Sequence, residues 1–246
     1  MNSSKSATIL VCTPDVYSKW AKRCIRSVKQ FTLTIPYELI VFENGRFGKF
    51  SHPYDINRAM DIAQGDYFVT LDDDVEVTPG WLEALVGLAD DDVGIVGCVN
   101  LNARRAYRNR VRHAGGWTDL EGRVISYTSA VDEPIAVPWV GSACFLINDR
   151  ELRFDLDYKK YYQEVDLCYQ SWLRGKRVMV SPHRIYHYGQ GAMESLGYSR
   201  DQVTALTQED LTTFKGKWVE NGRLRQLYET LAPQVDVPLA DVLAEA

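Results

Sequence analysis

Three consecutive aspartates, Asp72 to Asp74, directly follow an apolar run that ends at Leu71. Three carboxylates at the end of a strand repel one another unless a cation lies among them. Carboxylate oxygens suit Mg²⁺ or Mn²⁺, and proteins commonly share such ions with substrate phosphates. Side chains two positions apart on a strand point to the same side, so Asp72 and Asp74 could face one site. The alternative is a solvated acidic turn before the helix that begins near Thr78.

Alternating strands and helices predict the framework around this acidic turn. In the first half, buried strands are predicted at 7–12, 37–42 and 66–71, and helices at 16–30, 55–64 and 79–89. This alternation predicts a parallel sheet with right-handed crossovers, in which ligands bind beyond the carboxyl ends of the strands. The first turn, Thr13-Pro14-Asp15, lacks the G-x-G-x-x-G of a dinucleotide site.

The second half combines further short strands with long polar segments. Strands are predicted at 94–99, 139–147 and 177–181, a hairpin around 119–123, helices at 163–174 and 201–231, and a loop at 185–195 that contains His187. Gly141, Ser142 and Ala143 lie within the second of these strands. Residues this small would allow a ligand or another backbone to come close.

Composition narrows the class of protein. With 246 residues, 46% of them hydrophobic, the chain can form one large domain or a domain with a small appendage. A net charge of −5 argues against non-specific electrostatic binding of nucleic acid by the protein as a whole. No apolar run approaches the roughly 20 residues of a membrane span, and residues 1–6 lack the apolar core of a signal peptide. The five cysteines are scattered, which indicates reduced thiols. We expect a cytoplasmic protein that could lie at a membrane surface.

Five segments occur in a recognisable order. They are Ile9–Pro14, Leu39–Gly45, Asn57–Tyr67, Leu71–Val75 with Trp81-Leu82 beyond it, and Tyr162–Cys168. Together these segments resemble family 2 glycosyltransferases, and within that family the rhamnosyltransferase-like branch. The fourth segment looks like the D-x-D motif, and the fifth is similar to the Glu-Asp-x-Asp-Leu-Cys motif. The resemblance covers about residues 7–195.

The chain departs from the family pattern at several positions. Glu43 stands where the family usually has Asp, and Gln163-Glu164 replaces the pair Glu-Asp. The carboxylate at position 164 is therefore one methylene longer than the family's catalytic Asp. The Arg that usually follows Leu-Cys is missing, because the chain continues as Tyr169-Gln170-Ser171-Trp172.

The resemblance implies an α/β fold of the GT-A type, with a mostly parallel central sheet flanked by helices. It also implies a domain division. Residues 1–200 would form the catalytic domain, with a nucleotide-sugar half at about 1–99 and an acceptor half at about 100–200, and 201–246 a helical C-terminal appendage. The implied reaction is the metal-dependent transfer of a sugar from a nucleotide-diphosphate sugar to an acceptor hydroxyl, with inversion.

Site residues follow from the same resemblance. Mn²⁺ or Mg²⁺ is expected at Asp72, Asp74 and His187, although His187 also fits an ordinary surface loop. The nucleotide-sugar donor is expected at Thr13, Pro14, Glu43, Asn57, Asp72 and Asp73, of which Asp73 also fits a structural neighbour of the motif. Inversion needs one general base, for which Glu164 is the candidate. Asp166 is the second catalytic candidate. It does not share a helix face with Glu164 and could instead anchor the loop.

The acceptor could be a saccharide, a glycoconjugate or another molecule with a hydroxyl group. Trp117, Trp139 and Arg112 are candidates at the acceptor mouth, although core packing suits Trp139 better. Five arginines at 104, 105, 108, 110 and 112 could grip a polyanionic acceptor, including nucleic acid. A solvated loop is the favoured interpretation of this cluster. The oligomeric state stays open, and the tail 233–246 could pack on a partner.

Two other functions fit parts of the pattern. A phosphohydrolase of the haloacid-dehalogenase type also carries D-x-D after a buried strand. In that type a Thr or Val stands two residues beyond the second aspartate, where this chain has Glu76. A non-catalytic nucleotide-sugar or carbohydrate binding protein fits the Gln163-Glu164 departure.

Overall fold

A computed structural model describes residues 5–45, 52–189 and 191–244 of the chain. The strands are β1 (Ala7–Thr13), β2 (Tyr37–Glu43), β3 (Tyr67–Asp72), β4 (Val75–Glu76), β5 (Val93–Asn102), β6 (Val111–His113), β7 (Gly116–Thr118), β8 (Val124–Ser126), β9 (Ile135–Ala136), β10 (Cys144–Ile147) and β11 (Arg177–His187). The helices are α1 (Lys19–Phe31), α2 (His52–Ile62), α3 (Trp81–Val86), α4 (Gln163–Leu173), α5 (Gly191–Ser195), α6 (Arg200–Phe214), α7 (Arg223–Leu231) and α8 (Leu239–Ala244). A 3-10 turn at Arg105–Tyr107 and a π-helix at Lys215–Val219 complete the elements of this part of the chain.

The central sheet has the strand order β2-β1-β3-β10-β5-β11-β4. Strands β2, β1 and β3 run parallel, as do β5 and β11. Strand β10 lies antiparallel between these two parallel groups. Short strands β6 and β9 extend the sheet at β5 and β11, and β7 and β8 form a separate hairpin. The carboxyl ends of β1, β3 and β11 therefore meet at one side of the sheet, beside the start of β10.

Burial explains why β1 and β3 could be predicted, whereas β2, which was also predicted to be buried, is an edge strand that is half-buried along its whole length. Every residue of β1 is buried, and β3 is buried from Tyr67 to Leu71. Strands covered by helices on both faces are continuously apolar, which distinguishes them from half-exposed strands. Helix α1 begins at Ser18, whose side chain accepts a hydrogen bond from the Ala21 backbone N–H, and it buries Cys24 and Val28.

Three predicted boundaries were wrong. Regular pairing of β10 begins only at Cys144, so residues 139–143 are not a full strand. Strand β11 continues to His187, so this histidine ends a strand and does not lie in the predicted loop. The predicted helix at 201–231 is divided into α6, the π-helix and α7. The hairpin predicted around 119–123 is confirmed by β7 and β8.

The helices after residue 200 pack against the segment that precedes α4. Asp210 on α6 is fully buried, and its carboxylate accepts hydrogen bonds from the backbone N–H groups of Lys159, Lys160 and Tyr161 at 2.7, 2.9 and 2.7 Å. This carboxylate satisfies three donors just before α4 begins. It therefore fixes the direction in which the chain enters α4.

In the three described stretches, no helix combines the length and the apolar character that a membrane crossing requires.

Candidate active site

Asp72, Asp74 and His187 lie together where β3 and β11 end. One ligand atom from each side chain lies within 4.8 Å of the other two. Backbone pairing fixes this arrangement. The N–H of Asp72 donates to the carbonyl of Ala143 at 3.0 Å, and the N–H of Tyr188 donates to the carbonyl of Asp74 at 3.0 Å. The metal-ligand set expected from the sequence is therefore assembled in space.

Asp74 is the most strongly held member of this cluster. Its Oδ1 lies 3.2 Å from His187 Nε2, and its Oδ2 accepts a hydrogen bond from the Gly191 N–H at 2.8 Å. Burial raises the pKa of the Asp74 carboxyl, but the hydrogen bond and charge of His187 outweigh burial and lower that pKa below its usual value. Asp74 is therefore an anion, although it is only 3% exposed.

Asp73 is held away from this cluster. It is buried, and its Oδ2 accepts a hydrogen bond from the Thr13 hydroxyl at 2.8 Å. Burial raises the pKa of its carboxyl to about 7. The side chain joins the end of β1 to the acidic turn, which is the structural role the sequence offered as an alternative.

The donor set fits a divalent ion. Two carboxylate oxygens and one imidazole nitrogen suit Mn²⁺, which accepts both ligand types, better than they suit a purely oxygen-seeking ion. The backbone next to the cluster is equally constrained, since a Cβ at Gly191 would lie 2.5 Å from the Asp74 Cβ. A glycine is required for the start of α5 to approach the acidic turn this closely.

Glu164 lies on the first turn of α4, beside the same cluster. The turn begins after Tyr162, which adopts a left-handed backbone conformation with φ of 61°. Among the described residues, Glu164 Oε2 is buried without a hydrogen-bond partner. Burial, with a smaller contribution from the charge of Asp72, raises the pKa of this carboxyl to about 7. A carboxyl poised between its two protonation states can accept a proton near neutral pH.

Two adjoining cavities open on these residues. Both are lined by Asp72, Arg112, Ser142, Glu164 and His187. One, the aspartate cavity, has a volume of about 240 Å³ and is also lined by Asp73, Asp74, Lys160, Tyr161, Gly191 and Met193. The other, the tryptophan cavity, has a volume of about 210 Å³ and is also lined by Asn100, His113, Ser126, Trp139, Gly141 and Ala143. Glu164 and the expected metal ligands Asp72 and His187 thus line both cavities.

The residues predicted at the acceptor mouth separate in the structure. Arg112 and Trp139 line the tryptophan cavity, whereas Trp117, which is half-buried on β7, is not among the residues that line either cavity. The ring of Trp139 stacks on that of His113, with centroids 4.7 Å apart. Burial, helped by the charges of His187 and Arg112, lowers the pKa of His113 to about 3, so this imidazole is neutral at physiological pH.

The predicted nucleotide residues lie at the ends of β1 and β2. The Asn44 N–H donates to the Thr13 carbonyl at 3.0 Å, and Glu43 Oε1 accepts a hydrogen bond from the Val16 N–H at 3.1 Å. The side-chain amide of Asn57 is instead hydrogen-bonded to the backbone of Phe154. Its amide nitrogen donates to the carbonyl of Phe154, and its amide oxygen accepts from the N–H of the same residue, at 2.8 and 2.9 Å. A nucleotide contact at Asn57 stays a prediction.

Asp166 is fully buried and serves as an anchor. Trp218 Nε1 donates to its Oδ1 at 2.7 Å, Lys217 Nζ lies 2.8 Å from the same oxygen, and Gln170 donates to its Oδ2 at 2.6 Å. These contacts occupy both carboxylate oxygens. They support the anchoring role that the sequence offered as an alternative, with the π-helix as the segment that is anchored.

Two members of the arginine cluster lie at the site, since Arg112 lines both cavities and Arg104 contacts the chain that follows His187. Arg104 donates from Nε to the Tyr188 carbonyl and from a terminal nitrogen to the Gly189 carbonyl, each at 2.9 Å. The guanidinium of Arg108 lies over the ring of Tyr186, 4.8 Å from its centroid. Arg104 therefore holds the chain that follows His187, and no contact described for the cluster requires a nucleic acid.

Sequence reasoning missed His52 and Gln163. Gln163 Nε2 lies 2.5 Å from His52 Nδ1, and His52 Nε2 lies 3.7 Å from Asp72 Oδ1. Burial lowers the pKa of His52 to about 4, so the ring is neutral near pH 7. The departure from the family pair at position 163 thus places an amide against a neutral imidazole beside the expected metal ligand. The Gln163-Glu164 departure was the only sequence signal of this contact.

Comparisons with known proteins bear on the fold and on the family of this chain. Residues 52–137 match the family model described as Glycosyl transferase family 2. No curated protein matches the sequence of this chain at a significant level. The structure is similar to the mannosyltransferase PcManGT from Pyrobaculum calidifontis, in complex with GDP-Man and Mn²⁺, with 14% identity, a TM-score of 0.50, and coverage of 99% of this chain and 80% of that one. It is also similar to S. aureus TarS 1-349, with 10% identity, a TM-score of 0.50, and coverage of 98% and 70%.

The chain therefore has the GT-A fold of glycosyltransferases, which confirms the predicted fold class. Residues 52–137 match the pattern of glycosyltransferase family 2, and this matched stretch is less than half of the chain. The narrower resemblance to the rhamnosyltransferase-like branch stays a prediction.

Proposed function

We propose that this protein is a metal-dependent glycosyltransferase that moves a sugar from a nucleotide-diphosphate sugar to an acceptor hydroxyl with inversion. One observation carries the proposal. Glu164 lines cavities that Asp72 and His187 also line, and its Oε2 is buried without a hydrogen-bond partner among the described residues. A proton acceptor and a metal-ligand set thus meet across one space. The fold and the family 2 match support the same class of reaction.

Asp72, Asp74 and His187 would hold the ion. A bound Mn²⁺ or Mg²⁺ supplies Lewis-acid stabilisation of the negative charge that develops on the leaving diphosphate. Lys160 and Arg112 line the same aspartate cavity and add two positive charges that favour a diphosphate there. The complex of PcManGT with GDP-Man and Mn²⁺ supports this donor class.

Glu164 would act as the general base. Its Oε2 takes the proton of the acceptor hydroxyl, the acceptor oxygen forms a bond to the anomeric carbon, and the bond from that carbon to the diphosphate oxygen breaks. Attack on the face opposite the leaving group inverts the configuration. A pKa of about 7 leaves a substantial fraction of Glu164 ionised at neutral pH, which suits this role.

The remaining sequence-based assignments complete the proposal. Thr13, Pro14, Glu43 and Asp73 would shape the nucleotide side through the turns at the ends of β1 and β2, because the side chains of Thr13 and Glu43 already bond within those turns. We retain residues 1–200 as the catalytic domain, 201–246 as the appendage, and a cytoplasmic location. The acceptor is a saccharide, a glycoconjugate or another hydroxyl compound.

The first experiment measures binding. Thermal unfolding is followed with Mn²⁺ and UDP, dTDP or GDP, each alone and combined. We expect at least one nucleotide to raise the Tm only when Mn²⁺ is present, and Asp74→Ala to abolish that rise. Asp91→Ala, which removes an exposed carboxylate, is the matched control and should retain it. An equal rise in Asp74→Ala would refute the metal assignment.

The second experiment measures transfer. Mass spectrometry follows candidate acceptors incubated with a panel of nucleotide sugars and Mn²⁺. Glu164→Gln should bind the donor as the wild type does and lose about 10²- to 10⁴-fold in transfer rate, the usual contribution of a general base. Transfer at the wild-type rate would remove Glu164 as the base. Donor binding by the wild type without transfer to any acceptor would favour a non-catalytic binding protein.

A further inference from the structure

The tryptophan cavity concentrates unsatisfied polar atoms. Seven buried side-chain polar atoms of the described residues have no hydrogen-bond partner, and four of them belong to residues that line this one cavity. The four are Asn100 Oδ1, His113 Nε2, Trp139 Nε1 and Glu164 Oε2. An unpartnered polar atom in a protein interior destabilises the fold, so native structures contain few of them. Four residues that carry such atoms and line one space are the arrangement expected of a binding site.

Three of these side chains are held rigidly. Asn100 on β5 pairs directly with His113 on β6, and Asn100 Nδ2 donates to the Cys98 carbonyl at 3.3 Å. Trp139 stacks on His113, and its backbone N–H donates to the Gly116 carbonyl at 3.3 Å. All three are more than nine-tenths buried. The unsatisfied atoms are thus fixed by strand pairing and ring stacking before any ligand arrives.

Gly141 also belongs to this wall. A Cβ at this position would lie 2.9 Å from the His113 ring, so a larger residue would displace the imidazole. Gly141, one of the small residues noted in the sequence, therefore leaves space for the His113 side chain. This space allows the His113 imidazole to lie in the cavity wall.

The chemistry of the four atoms limits the ligand. Trp139 Nε1 can only donate, Asn100 Oδ1 and ionised Glu164 can only accept, and the neutral His113 ring can do either according to its tautomer. A hydroxyl group both donates and accepts, so a ring with several hydroxyls can satisfy this mixture. An apolar group would leave all four unsatisfied. Asp72, Glu164 and Arg112 also line the cavity, so a ligand without net charge suits this mixture of charges.

We propose that the tryptophan cavity binds one neutral pyranose ring, whose hydroxyls are recognised by Asn100, His113 and Trp139. This inference rests on the proposed function and assigns these three residues as specificity determinants within it. The cavity volume of about 210 Å³ equals that of about seven liquid water molecules, which gives room for a single ring. The ring belongs either to the sugar being transferred or to a saccharide acceptor.

Asn100→Leu and His113→Phe test the inference, since each removes an unsatisfied atom and keeps much of the side-chain volume. Isothermal titration calorimetry measures binding of GDP with Mn²⁺, UDP with Mn²⁺, and the corresponding GDP-mannose and UDP-glucose. If the ring is the transferred sugar, both variants should bind the nucleoside diphosphates as the wild type does. They should bind the matching nucleotide sugar at least tenfold more weakly.

A second set of titrations distinguishes the acceptor. Methyl glycosides of common hexoses are titrated with and without nucleoside diphosphate and Mn²⁺. If the ring belongs to the acceptor, the variants should lose at least tenfold in glycoside affinity and keep nucleotide-sugar affinity. Trp117→Phe, on a tryptophan outside both cavities, is the control and should change neither.

Stability separates this role from a structural one. Removing the unsatisfied His113 Nε2 in His113→Phe should leave the Tm of the ligand-free protein unchanged or raise it, whereas Asn100→Leu also loses the hydrogen bond from Nδ2 to the Cys98 carbonyl and should lower the Tm slightly. A lower Tm in both variants, with nucleotide-sugar and glycoside affinities at wild-type values, would overturn the inference. If the wild type binds no nucleoside diphosphate with Mn²⁺, the proposed function fails, and the nucleotide-free glycoside titrations still decide whether the cavity binds a sugar ring.

Discussion

Glu164→Gln should raise the free energy of unfolding of the protein, and only at a pH above about 4.5. The Glu164 carboxyl has an ordinary pKa of 4.5 in the unfolded chain, and burial raises its folded-state pKa to about 7. Between these values the unfolded chain has released the proton and the folded chain still binds it. Stability therefore falls as the pH rises from about 4.5 to about 7, because ionisation of the folded protein is resisted.

The size of this effect follows from the two pKa values. A tenfold change in proton affinity corresponds to about 1.4 kcal/mol, so raising the pKa from 4.5 to about 7 costs about 3 kcal/mol once both states are ionised. Glutamine resembles the protonated acid and cannot ionise. The variant should match the wild type below pH 4.5 and exceed it by about 3 kcal/mol above pH 7, or about 6–12 °C in Tm for a chain of this size.

Urea unfolding of the metal-free protein from pH 4 to pH 8.5 measures this difference. Glu229→Gln, on an exposed carboxyl of α7, is the matched control and should follow the wild type at every pH. A Glu164→Gln variant that is less stable than the wild type at pH 8 would refute the reasoning. That result would mean that the ionised carboxylate is stabilised in the folded protein and that Oε2 is not an unsatisfied atom.

Three further perturbations address the surroundings of the site. Asp166→Ala should lower the free energy of unfolding by about 1–3 kcal/mol, because it leaves the Trp218 indole N–H unsatisfied inside the protein, while Lys217 keeps its contact with Asp155 at 2.6 Å. An unchanged free energy of unfolding in urea would contradict the anchoring role. Gly191→Ala should abolish the Mn²⁺-dependent rise in Tm, whereas Gly216→Ala, where an added Cβ meets nothing within 4 Å, should retain it. Arg104→Ala should weaken nucleotide binding about three- to tenfold, since two hydrogen bonds to the chain after His187 are lost, and Arg105→Ala in the same calorimetric assay should not.

Strands β1 and β3 could be predicted because they are covered on both faces. Strand β2, also predicted to be buried, lies at the edge of the sheet and is half-buried along its whole length. The runs at 7–12 and 67–71 are mostly apolar, and the structure extends the first predicted strand by one residue and shifts the second, predicted at 66–71, by one residue. Beyond residue 181, strand β11 contains Pro182 and the polar residues His183, Arg184 and His187, which resemble a loop in the sequence. Long-range pairing with β5 and β4 makes this segment a strand, and no local pattern carries that information.

Within the site, the sequence predicted residue types better than contacts. The spacing of Asp72 and Asp74 placed both on one side of a strand end, and their proximity to His187 agrees with that prediction. Glu164 and Asp166 looked equivalent as acids in one helical turn. They differ because a half-turn of helix directs one to the cavities and the other to the π-helix. The contacts among Asn100, His113 and Trp139 join three distant segments and leave no signature in any one of them.

The anchoring of Asp166 has a consequence for the order in which the protein is made. A ribosome completes α4 some fifty residues before it reaches Lys217 and Trp218, which supply the partners of Asp166. Until those residues emerge from the exit tunnel, a buried carboxylate on the helix that carries Glu164 lacks its cation and its indole donor. Nascent chains released before residue 217 should therefore contain the complete acidic turn but lack the contacts that hold the helix carrying Glu164. The proposed sugar transfer should require a chain that includes the π-helix.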